Sequence, residues 1–176
     1  KRDGTSYVIL VIQGDQGSGK TSLCNNIIIP LIDPSSVGVQ TFPKTAKDLG
    51  IVCENAHVAC FDNVRNFKAD TSDLLCMTST RSTLSGRTLY SDSEQYVDVL
   101  HGAIVLNGIH SFVMQTDLAE RCLTVYTKSL AGQRKTTAAL QAELQADMPK
   151  IFRGLLDCTV GILRAMPNAK ITAQER

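Results

Sequence analysis

The stretch Tyr7-Val-Ile-Leu-Val-Ile-Gln-Gly-Asp-Gln-Gly-Ser-Gly-Lys-Thr21 decides the fold of this chain. Its first part, Tyr7–Gln13, is apolar and rich in β-branched residues, which predicts a central strand buried on both faces. The second part, Gly14–Thr21, matches the pattern G-x-x-x-x-G-K-[ST] without a gap. Glycines let backbone N–H groups wrap a phosphate, and the helix predicted over Thr21–Ile29 directs its positive end at the same anion. The stretch therefore predicts a nucleotide phosphate site between a strand and a helix.

Every position of this loop is a candidate for ATP binding, and two positions also carry chemistry. We expect Lys20 to reach the β- and γ-phosphates of ATP, and the hydroxyl of Thr21 to bind Mg²⁺. The candidate ATP-binding residues are Gly14, Asp15, Gln16, Gly17, Ser18, Gly19, Lys20 and Thr21.

A second buried strand, predicted over His57–Asp62, ends in an acid. A phosphate loop needs a second magnesium anchor on a neighbouring strand, so we expect Asp62 to bind Mg²⁺ together with Thr21. Asn63 follows, where many motor ATPases carry a glutamate that polarises the attacking water. An amide cannot act as a base, yet it can orient water, so we expect hydrolysis to be slow. Glu54 is an alternative acid, although a surface role suits it better.

Two further residues are candidate catalytic groups. Asn107 ends a third predicted strand, Ala103–Asn107, where it would read the γ-phosphate or its water; local hydrogen bonding at a strand end is the alternative. Arg121 follows Asp117 at the i, i+4 spacing of an ion pair on an exposed helical turn. The competing interpretation, which we favour, is an arginine finger that stabilises transition-state charge in a neighbouring subunit's site.

Strand-like and helix-like segments alternate, which predicts an α/β fold with a parallel sheet flanked by helices. The helix Thr21–Ile29 is expected to end at Pro30 and Pro34. Thr45 stands three residues before an acid, as in a capping box. The remaining predictions are a helix over Asp70–Ser79, a hairpin or two short strands within Leu84–Val99, and a fourth buried strand over Cys122–Tyr126.

The last third of the chain has a different composition. Gln133–Asp147 is rich in good helix formers, and Pro149 is expected to interrupt the helix, with Asp147 capping a second one. The second helix carries one apolar stripe at spacings of three and four: Ile151, Leu155, Cys158, Ile162 and Ala165. We therefore predict a P-loop ATPase core over residues 1–130 and a C-terminal helical part of the same domain over residues 131–176.

The composition bounds the class of protein. The chain has 176 residues, enough for one domain, and a net charge of +1, which excludes a strongly basic protein that coats nucleic acid. Its apolar runs are shorter than the ~20 residues that span a bilayer, and no secretory signal is visible, so we expect a cytoplasmic protein. It lacks an initiator Met, which suggests a piece of a longer polypeptide. The cysteines are expected to be small core residues in a reducing compartment: Cys24, Cys53, Cys60, Cys76, Cys122 and Cys158.

The ordered segments GDQGSGKT, HVACFDN, RSTLSGRTLYSD, AIVLNGI and DLAERCL resemble the ATPase domain of phage- and plasmid-type primase-helicases. These proteins belong to the superfamily 3 helicase branch of the AAA+ ATPases. The resemblance extends from about Tyr7 to about Met166. It implies an AAA+-like P-loop NTPase fold, ATP and Mg²⁺ as cofactors, and a homo-oligomeric ring that handles single-stranded DNA.

The resemblance also implies roles for individual residues. Gly14–Thr21 would be the Walker A motif, Asp62 the Walker B acid, Asn107 sensor 1, and Arg121 the arginine that acts across a subunit interface. Asn63 departs from the family, which carries a catalytic acid there. A sensor 2 arginine is not marked out among Arg134, Arg153 and Arg164.

The same resemblance places the segment Arg81–Tyr90 near the hairpin that faces the DNA channel in such helicases. Arg81 and Arg87 are therefore the candidate DNA-binding residues. Their place in the sequence, between the Walker B strand and the sensor 1 strand, matches that of the hairpin.

These observations favour an oligomeric ATP-driven motor that acts on DNA, as a helicase or translocase component of a mobile-element replication protein. Asn63 supports an alternative, in which ATP holds an assembly together with little turnover. A third reading is a small monomeric P-loop kinase, because such enzymes also begin with this loop.

Overall fold

The computed structural model describes residues 5–65, 67–87, 95–109, 115–130, 132 and 135–168. The chain divides into two compact units, Lys1–Gln133 and Arg134–Arg176. We call them the sheet unit and the helical unit.

The strands of the sheet unit form two sheets. The main sheet contains β1 (Ile9–Gly14), β2 (Gln40–Thr41), β3 (Val58–Asp62), β6 (Ala103–Gly108) and β7 (Cys122–Thr127). Its order is β2-β3-β6-β1-β7, and every pairing in it is parallel. An antiparallel pair, β4 (Ser82–Arg87) and β5 (Gln95–Leu100), forms the second sheet. The predicted strands and the predicted hairpin are thus confirmed, but the fourth strand is not buried as expected. It is β7, the edge strand of the main sheet, and most of its side chains are exposed.

The helices of the sheet unit flank these strands. α1 (Lys20–Leu23) follows β1 and continues as a π-helical turn, Cys24–Ile28, into α2 (Ile29–Ile32). α3 (Ala46–Asn55) precedes β3, α4 (Ala69–Thr80) precedes β4, and α5 (Thr116–Ala119) precedes β7. The hydroxyl of Thr45 accepts a hydrogen bond from the amide of Asp48 at 3.1 Å, so the predicted cap at the start of α3 is confirmed.

The strands β1, β3 and β6 of the main sheet are buried on both faces, as their apolar sequences predict, whereas β7 at the edge is mostly exposed. Successive residues of a strand point to opposite faces, and the two faces bury separate clusters. One cluster joins strand residues to α3, α4 and α5; its members include Ile9, Val11, Leu49, Phe61, Leu75, Leu106 and Leu118. The other joins the sheet to the first helical segment and contains Ile12, Cys24, Ile29, Cys60 and Val105.

The first helical segment does not end at Pro30, contrary to the sequence prediction. The π-turn before it is closed by a bond from the amide of Ile29 to the carbonyl of Cys24, five residues back. Pro30 then occupies the first turn of α2, where its missing N–H has no required partner. The segment ends at Asp33 because Pro34 follows it, and a residue that precedes a proline disfavours helical geometry.

Where the sequence predicted two helices in the helical unit, its described residues form a single α-helix followed by a short 3₁₀ turn, Met166–Asn168. α6 (Thr137–Ala165) runs through Pro149 without a break. Thr136 caps its start by accepting the amide of Ala139 at 3.2 Å, while Asp147 pairs with Lys150 at 3.0 Å and caps nothing. Proline removes one backbone bond and costs about 3 kcal/mol in a helix interior; the other turns of this 29-residue helix remain bonded.

The predicted apolar stripe lies on α6, but no residue of α6 is buried. Cys158 is exposed there, so its expected place in the core is wrong. Cys24, Cys53, Cys60 and Cys76 are buried as predicted, and Cys122 is half-buried. Among the described residues, no helix combines the length and the apolar character needed to cross a membrane.

Candidate functional site

A glycine-rich loop joins the end of β1 to the start of α1. Gly17 and Gly19 have φ values of 77° and 82°, a region that glycine adopts without strain. Gly14 lies against the end of β7: a Cβ built on it would lie 2.6 Å from the carbonyl oxygen of Thr127 and closer still to its hydroxyl. The glycines of the pattern are therefore required by the local backbone and by the neighbouring strand.

Lys20 is folded into this loop. It is 7% exposed, and its Nζ donates to the carbonyl oxygens of Gly14 and Asp15 at 2.8 Å each. A third, longer bond of 3.3 Å goes to the hydroxyl of Ser18. The ammonium group is thus held in the concave side of the loop, where the sequence predicts the phosphates.

Thr127 contacts the loop from the neighbouring strand, and the sequence analysis missed it. Its Oγ1 lies 2.7 Å from Oγ of Ser18 and donates to the carbonyl of Gln13 at 3.0 Å. The predicted fourth strand ended one residue too early, at Tyr126, whereas β7 continues and pairs Thr127 with Gly14. The parallel arrangement is the signal that could have found it, because the strand beside β1 must end beside the loop.

The structure brings Thr21 and Asp62 together, as the sequence predicted. Thr21 Oγ1 donates to Asp62 Oδ2 at 2.7 Å across 41 positions of sequence. Both are oxygen ligands of the kind that Mg²⁺ prefers, and Mg²⁺ commonly takes one carboxylate with waters and substrate phosphates. No cluster of three or more His, Cys, Asp or Glu residues suited to a metal exists among the described residues. The donor set thus fits a magnesium ion shared with a phosphate ligand.

The presence of an asparagine at position 63 has a structural explanation that the sequence did not indicate. Its φ is 53°, in the left-handed region that Asn tolerates far better than most residues. Its backbone amide donates to Asp62 Oδ1 at 2.5 Å and, more weakly, to Asn107 Oδ1 at 3.4 Å. The turn after β3 therefore fixes the second oxygen of the Asp62 carboxylate.

Asn107 is buried at the end of β6, which lies between β1 and β3. Its Oδ1 accepts from the amide of Asn63, and its Nδ2 lies 3.9 Å from the sulfur of Cys24. Its backbone carbonyl accepts from the amide of Val64 at 2.9 Å. Hydrogen bonds from the Cys60 thiol and then from Asn107 lower the pKa of Cys24. Asn107 thus links the helix after the loop to the turn after β3.

The alternative acid Glu54 does not belong to this edge of the sheet. It is exposed near the end of α3, which is followed after two residues by the start of β3. Four steps along β3 separate its first residue, Val58, from Asp62, a rise of about 13 Å. The structure therefore rules out Glu54 as the group that activates water beside Asp62 in the same chain.

Arg121 immediately precedes β7, at the end of the parallel strands that lies opposite the loop. It pairs with Asp117 at 3.1 Å, which is the ion pair that the sequence analysis gave as the alternative to an arginine finger. The Cys76 thiol and then Arg121 lower the pKa of Asp117. The Nε of Arg121 is buried and has no hydrogen-bond partner among the described residues. Its guanidinium cannot reach the loop of its own chain, because the length of β7, about 20 Å, lies between them.

The candidate DNA-binding arginines lie at the two ends of β4. Arg81 is exposed and follows α4 with a φ of 64°. Arg87 ends β4 and pairs with Gln95 in the backbone register. Leu89 and Tyr90, which carry part of the family resemblance, lie outside the described residues. The base of this hairpin lies at the edge where the parallel strands begin, since Leu100 is followed closely by β6.

The candidate sensor 2 arginines lie in the helical unit. Arg153 donates to both oxygens of Asp157 at 3.0 Å on the surface of α6, and Arg164 is exposed in its last turn. Arg134 lies outside the described residues. The structure thus singles out none of the three.

Comparison with known proteins finds one matching family model and several matching solved structures, one of which is described here. A family model described as the actinomycete integrative conjugative element replication protein matches residues 6–176. The crystal structure of JCV helicase with a bound thiazolopyridinyl-phenoxyphenyl acetamide superposes with a TM-score of 0.51 at 15% identity. The alignment covers 84% of this chain and 42% of that one. At this identity the likeness concerns the fold alone, and this chain spans less than half of that helicase. No curated protein matches.

Proposed function

The chain belongs to the replication protein family of actinomycete integrative conjugative elements, and we propose that it is an ATP-binding, ATP-hydrolysing motor domain of that family. In this proposal the fold is a P-loop NTPase fold of the AAA+ type, and the domain works as a homo-oligomeric ring on single-stranded DNA, as a helicase or translocase component. Residues 1–130 form the ATPase core and residues 131–176 its helical part.

The observation that carries the proposal is the 2.7 Å hydrogen bond between Thr21 and Asp62. The sequence assigns both residues to one magnesium ion, from two motifs that are 41 positions apart. A glycine-rich turn without a nucleotide role would have no reason to lie beside a carboxylate on another strand. The solved helicase fold at a TM-score of 0.51 supports the same proposal.

The residues of the loop divide the work of holding ATP. The amides of Gly14–Gly19 and the start of α1 bind phosphate oxygens. Lys20 exchanges its carbonyl acceptors for phosphate oxygens, which form stronger, charge-assisted bonds. Thr21 and Asp62 hold Mg²⁺, which neutralises phosphate charge when bound. Asn63 and Asn107 lie next to Asp62 and orient the attacking water.

Two features of the proposal involve partners of this chain, a neighbouring subunit and single-stranded DNA. Arg121 acts on the γ-phosphate bound to a neighbouring subunit, because it lies at the far edge of its own sheet. Arg81 and Arg87, at the two ends of β4, bind the phosphates of single-stranded DNA. ATP turnover should therefore depend on assembly and respond to DNA.

The test measures Mg²⁺-dependent ATP affinity, and then turnover against protein concentration with and without single-stranded DNA. We expect a specific rate that rises with concentration and again with DNA. Thr21→Val should lose turnover, whereas Thr159→Val, which removes an exposed hydroxyl from α6, should not. A concentration-independent rate would favour a monomeric kinase-like enzyme, and no ATP binding would refute the proposal.

One observation favours a second candidate, an assembly module gated by ATP with little turnover. Asn63, an amide, occupies the position after Asp62, and its left-handed backbone disfavours replacement by a bulkier acid. ATP binding that drives oligomerisation, with negligible phosphate release, would establish this candidate. Phosphate release that accelerates with DNA would exclude it.

A further inference from the structure

A line of hydrogen bonds connects the edge strand β7 to the lysine of the loop. It runs through the Nζ of Lys20, the hydroxyls of Ser18 and Thr127, and the carbonyl of Gln13. The distances along it are 3.3, 2.7 and 3.0 Å. Ser18 and Thr127 are 109 positions apart in sequence, so tertiary structure alone brings them together.

The number of hydrogen atoms fixes the direction of this line. A threonine hydroxyl has one hydrogen, and Thr127 gives it to the carbonyl of Gln13, which can only accept. The hydroxyl of Ser18 must therefore be the donor to Thr127. Having spent its own hydrogen, Ser18 offers lone pairs to the ammonium of Lys20. Each group depends on the next, and the line ends on the backbone of β1.

Burial makes these bonds consequential. Ser18 and Lys20 are each 7% exposed, and a buried polar group without a partner costs about 1–3 kcal/mol. Removing the hydroxyl of Thr127 would leave the hydroxyl hydrogen of Ser18 without its acceptor. Ser18 could then satisfy itself only by rotating toward a loop carbonyl, which would turn its lone pairs away from Lys20.

We propose that Thr127 is a positioning residue of the phosphate site, which fixes Ser18 and, through Ser18, the ammonium of Lys20. This inference rests on the proposed function for its ligand. When phosphate oxygens replace the carbonyls of Gly14 and Asp15 as acceptors of Lys20, the contact to Ser18 remains as the anchor that the protein supplies. Thr127 itself touches no phosphate, since the side chain of Ser18 lies between it and the lysine.

The close approach of Thr127 to Gly14 supports this role. The carbonyl and hydroxyl of Thr127 occupy the space that a side chain at position 14 would need. The end of β7 is thus packed directly against the first residue of the loop. The same residue therefore restrains the loop at its start and, through Ser18, near its end.

The experiment compares Thr127→Val, which keeps the shape and removes the hydroxyl, with Thr127→Ser, which keeps the hydroxyl. Thr124→Val is the matched control, because Thr124 is exposed on the same strand. The first readout is hydrogen exchange of the amides of residues 14–20 in the free protein. Thr127→Val should accelerate it about tenfold, while Thr127→Ser and Thr124→Val should leave it unchanged.

The second readout is the kinetics of ATP turnover. Lys20 binds phosphate in the ground state and in the transition state alike, so its displacement should act mainly on KM. We expect Thr127→Val to raise the KM for ATP about tenfold with kcat within about threefold of the starting protein. Thr127→Ser should restore both values, which a loss of packing would not allow.

The outcomes separate this inference from the proposed function. Unchanged exchange of the loop in Thr127→Val, or equal effects of Thr127→Val and Thr127→Ser, would overturn the role of the hydroxyl whatever the nucleotide does. If the unaltered protein failed to bind ATP, the proposed function would fall, and exchange of the loop would still decide whether Thr127 holds it.

Discussion

The sheet unit and the helical unit contain the same residue types in different relations to the rest of the chain. In the sheet unit, Thr21 and Ser18 bond side chains 41 and 109 positions away. In α6, Lys150 and Arg153 bond carboxylates three and four positions away, and no residue of the helix is buried. The effect of substituting a residue should therefore depend on whether its contacts join distant or neighbouring parts of the chain. Each unit supplies a matched control for the other.

The largest difference in ATP turnover is expected between variants of two arginines that each pair with a carboxylate four positions away. Arg121→Ala and Arg153→Ala should each change the free energy of unfolding by at most about 1 kcal/mol, because exposed and partly exposed ion pairs contribute about 0–1 kcal/mol. The buried Nε of Arg121 has no hydrogen bond to lose among the described residues. ATP affinity should also stay the same in both variants. Turnover should fall about 10³-fold in Arg121→Ala, the usual size of an arginine-finger effect, and stay unchanged in Arg153→Ala. Steady-state phosphate release with single-stranded DNA measures this.

Equal turnover in the two arginine variants would remove the finger role. Arg121 would then act only as the partner of Asp117. Mixing Arg121→Ala with an inactive Lys20→Ala protein provides a further control, because an arginine that acts across an interface should restore part of the activity.

A second comparison concerns two lysines. Lys20 is buried with three acceptors, and Lys150 is exposed beside Asp147. Lys20→Ala should weaken Mg²⁺–ATP binding about 100-fold, because charge-assisted bonds in a buried site are about twice as strong as neutral ones. Lys150→Ala should change it less than twofold. Calorimetric titration of both variants measures the difference, and retained affinity in Lys20→Ala would refute the assignment of the loop.

A third comparison exchanges glycine for alanine in both units and expects effects of opposite sign. At Gly14 the added Cβ meets Thr127, so Gly14→Ala should lower the free energy of unfolding by about 2 kcal/mol. At Gly154, inside α6, nothing lies within 4 Å of such a Cβ. Gly154→Ala should therefore stabilise the helix by about 0.5–1 kcal/mol.

Denaturant unfolding followed by circular dichroism tests both glycine variants. The transition of each unit must be recorded, since the chain divides into two compact units. An unaffected Gly14→Ala would mean that the end of β7 does not press on the loop. That result would also weaken the positioning role of Thr127.

The sequence predicted those parts of the fold that depend on local pattern. Continuous apolar runs predicted the strands, and the loop pattern together with the acid that ends the second predicted strand predicted that Thr21 and Asp62 would lie together. Thr127 was not predicted as part of the site, because its position there follows from the strand order, with β7 beside β1. No pattern in the neighbouring sequence indicates it. Asn63 was interpreted as a missing glutamate, whereas its left-handed backbone is a property of the folded turn.

The errors about the helices arose where a local rule was applied without its structural context. Proline at positions 30 and 149 was expected to end a helix, and in both places the helix continues. At Pro30 a π-turn places the proline in a first turn, and at Pro149 a long helix loses one bond among many. Burial of Cys158 was inferred from its apolar neighbours. Periodicity shows that such residues share a face, but it does not show what covers that face.

The smallest expected effect concerns two thiols and tests whether α6 is as exposed as the structure indicates. Burial, and then the charge of Cys76, raises the pKa of Cys122 to about 11, whereas Cys158 is exposed on α6. Thiolates are the reactive form, so iodoacetamide at pH 8 should label Cys158 first. Labelling of Cys122 should rise about tenfold per pH unit below its pKa. Cys158→Ser should abolish the fast phase, and Cys122→Ser should not. Protection of Cys158 would contradict the comparison, because the apolar face of α6 would then be covered in solution.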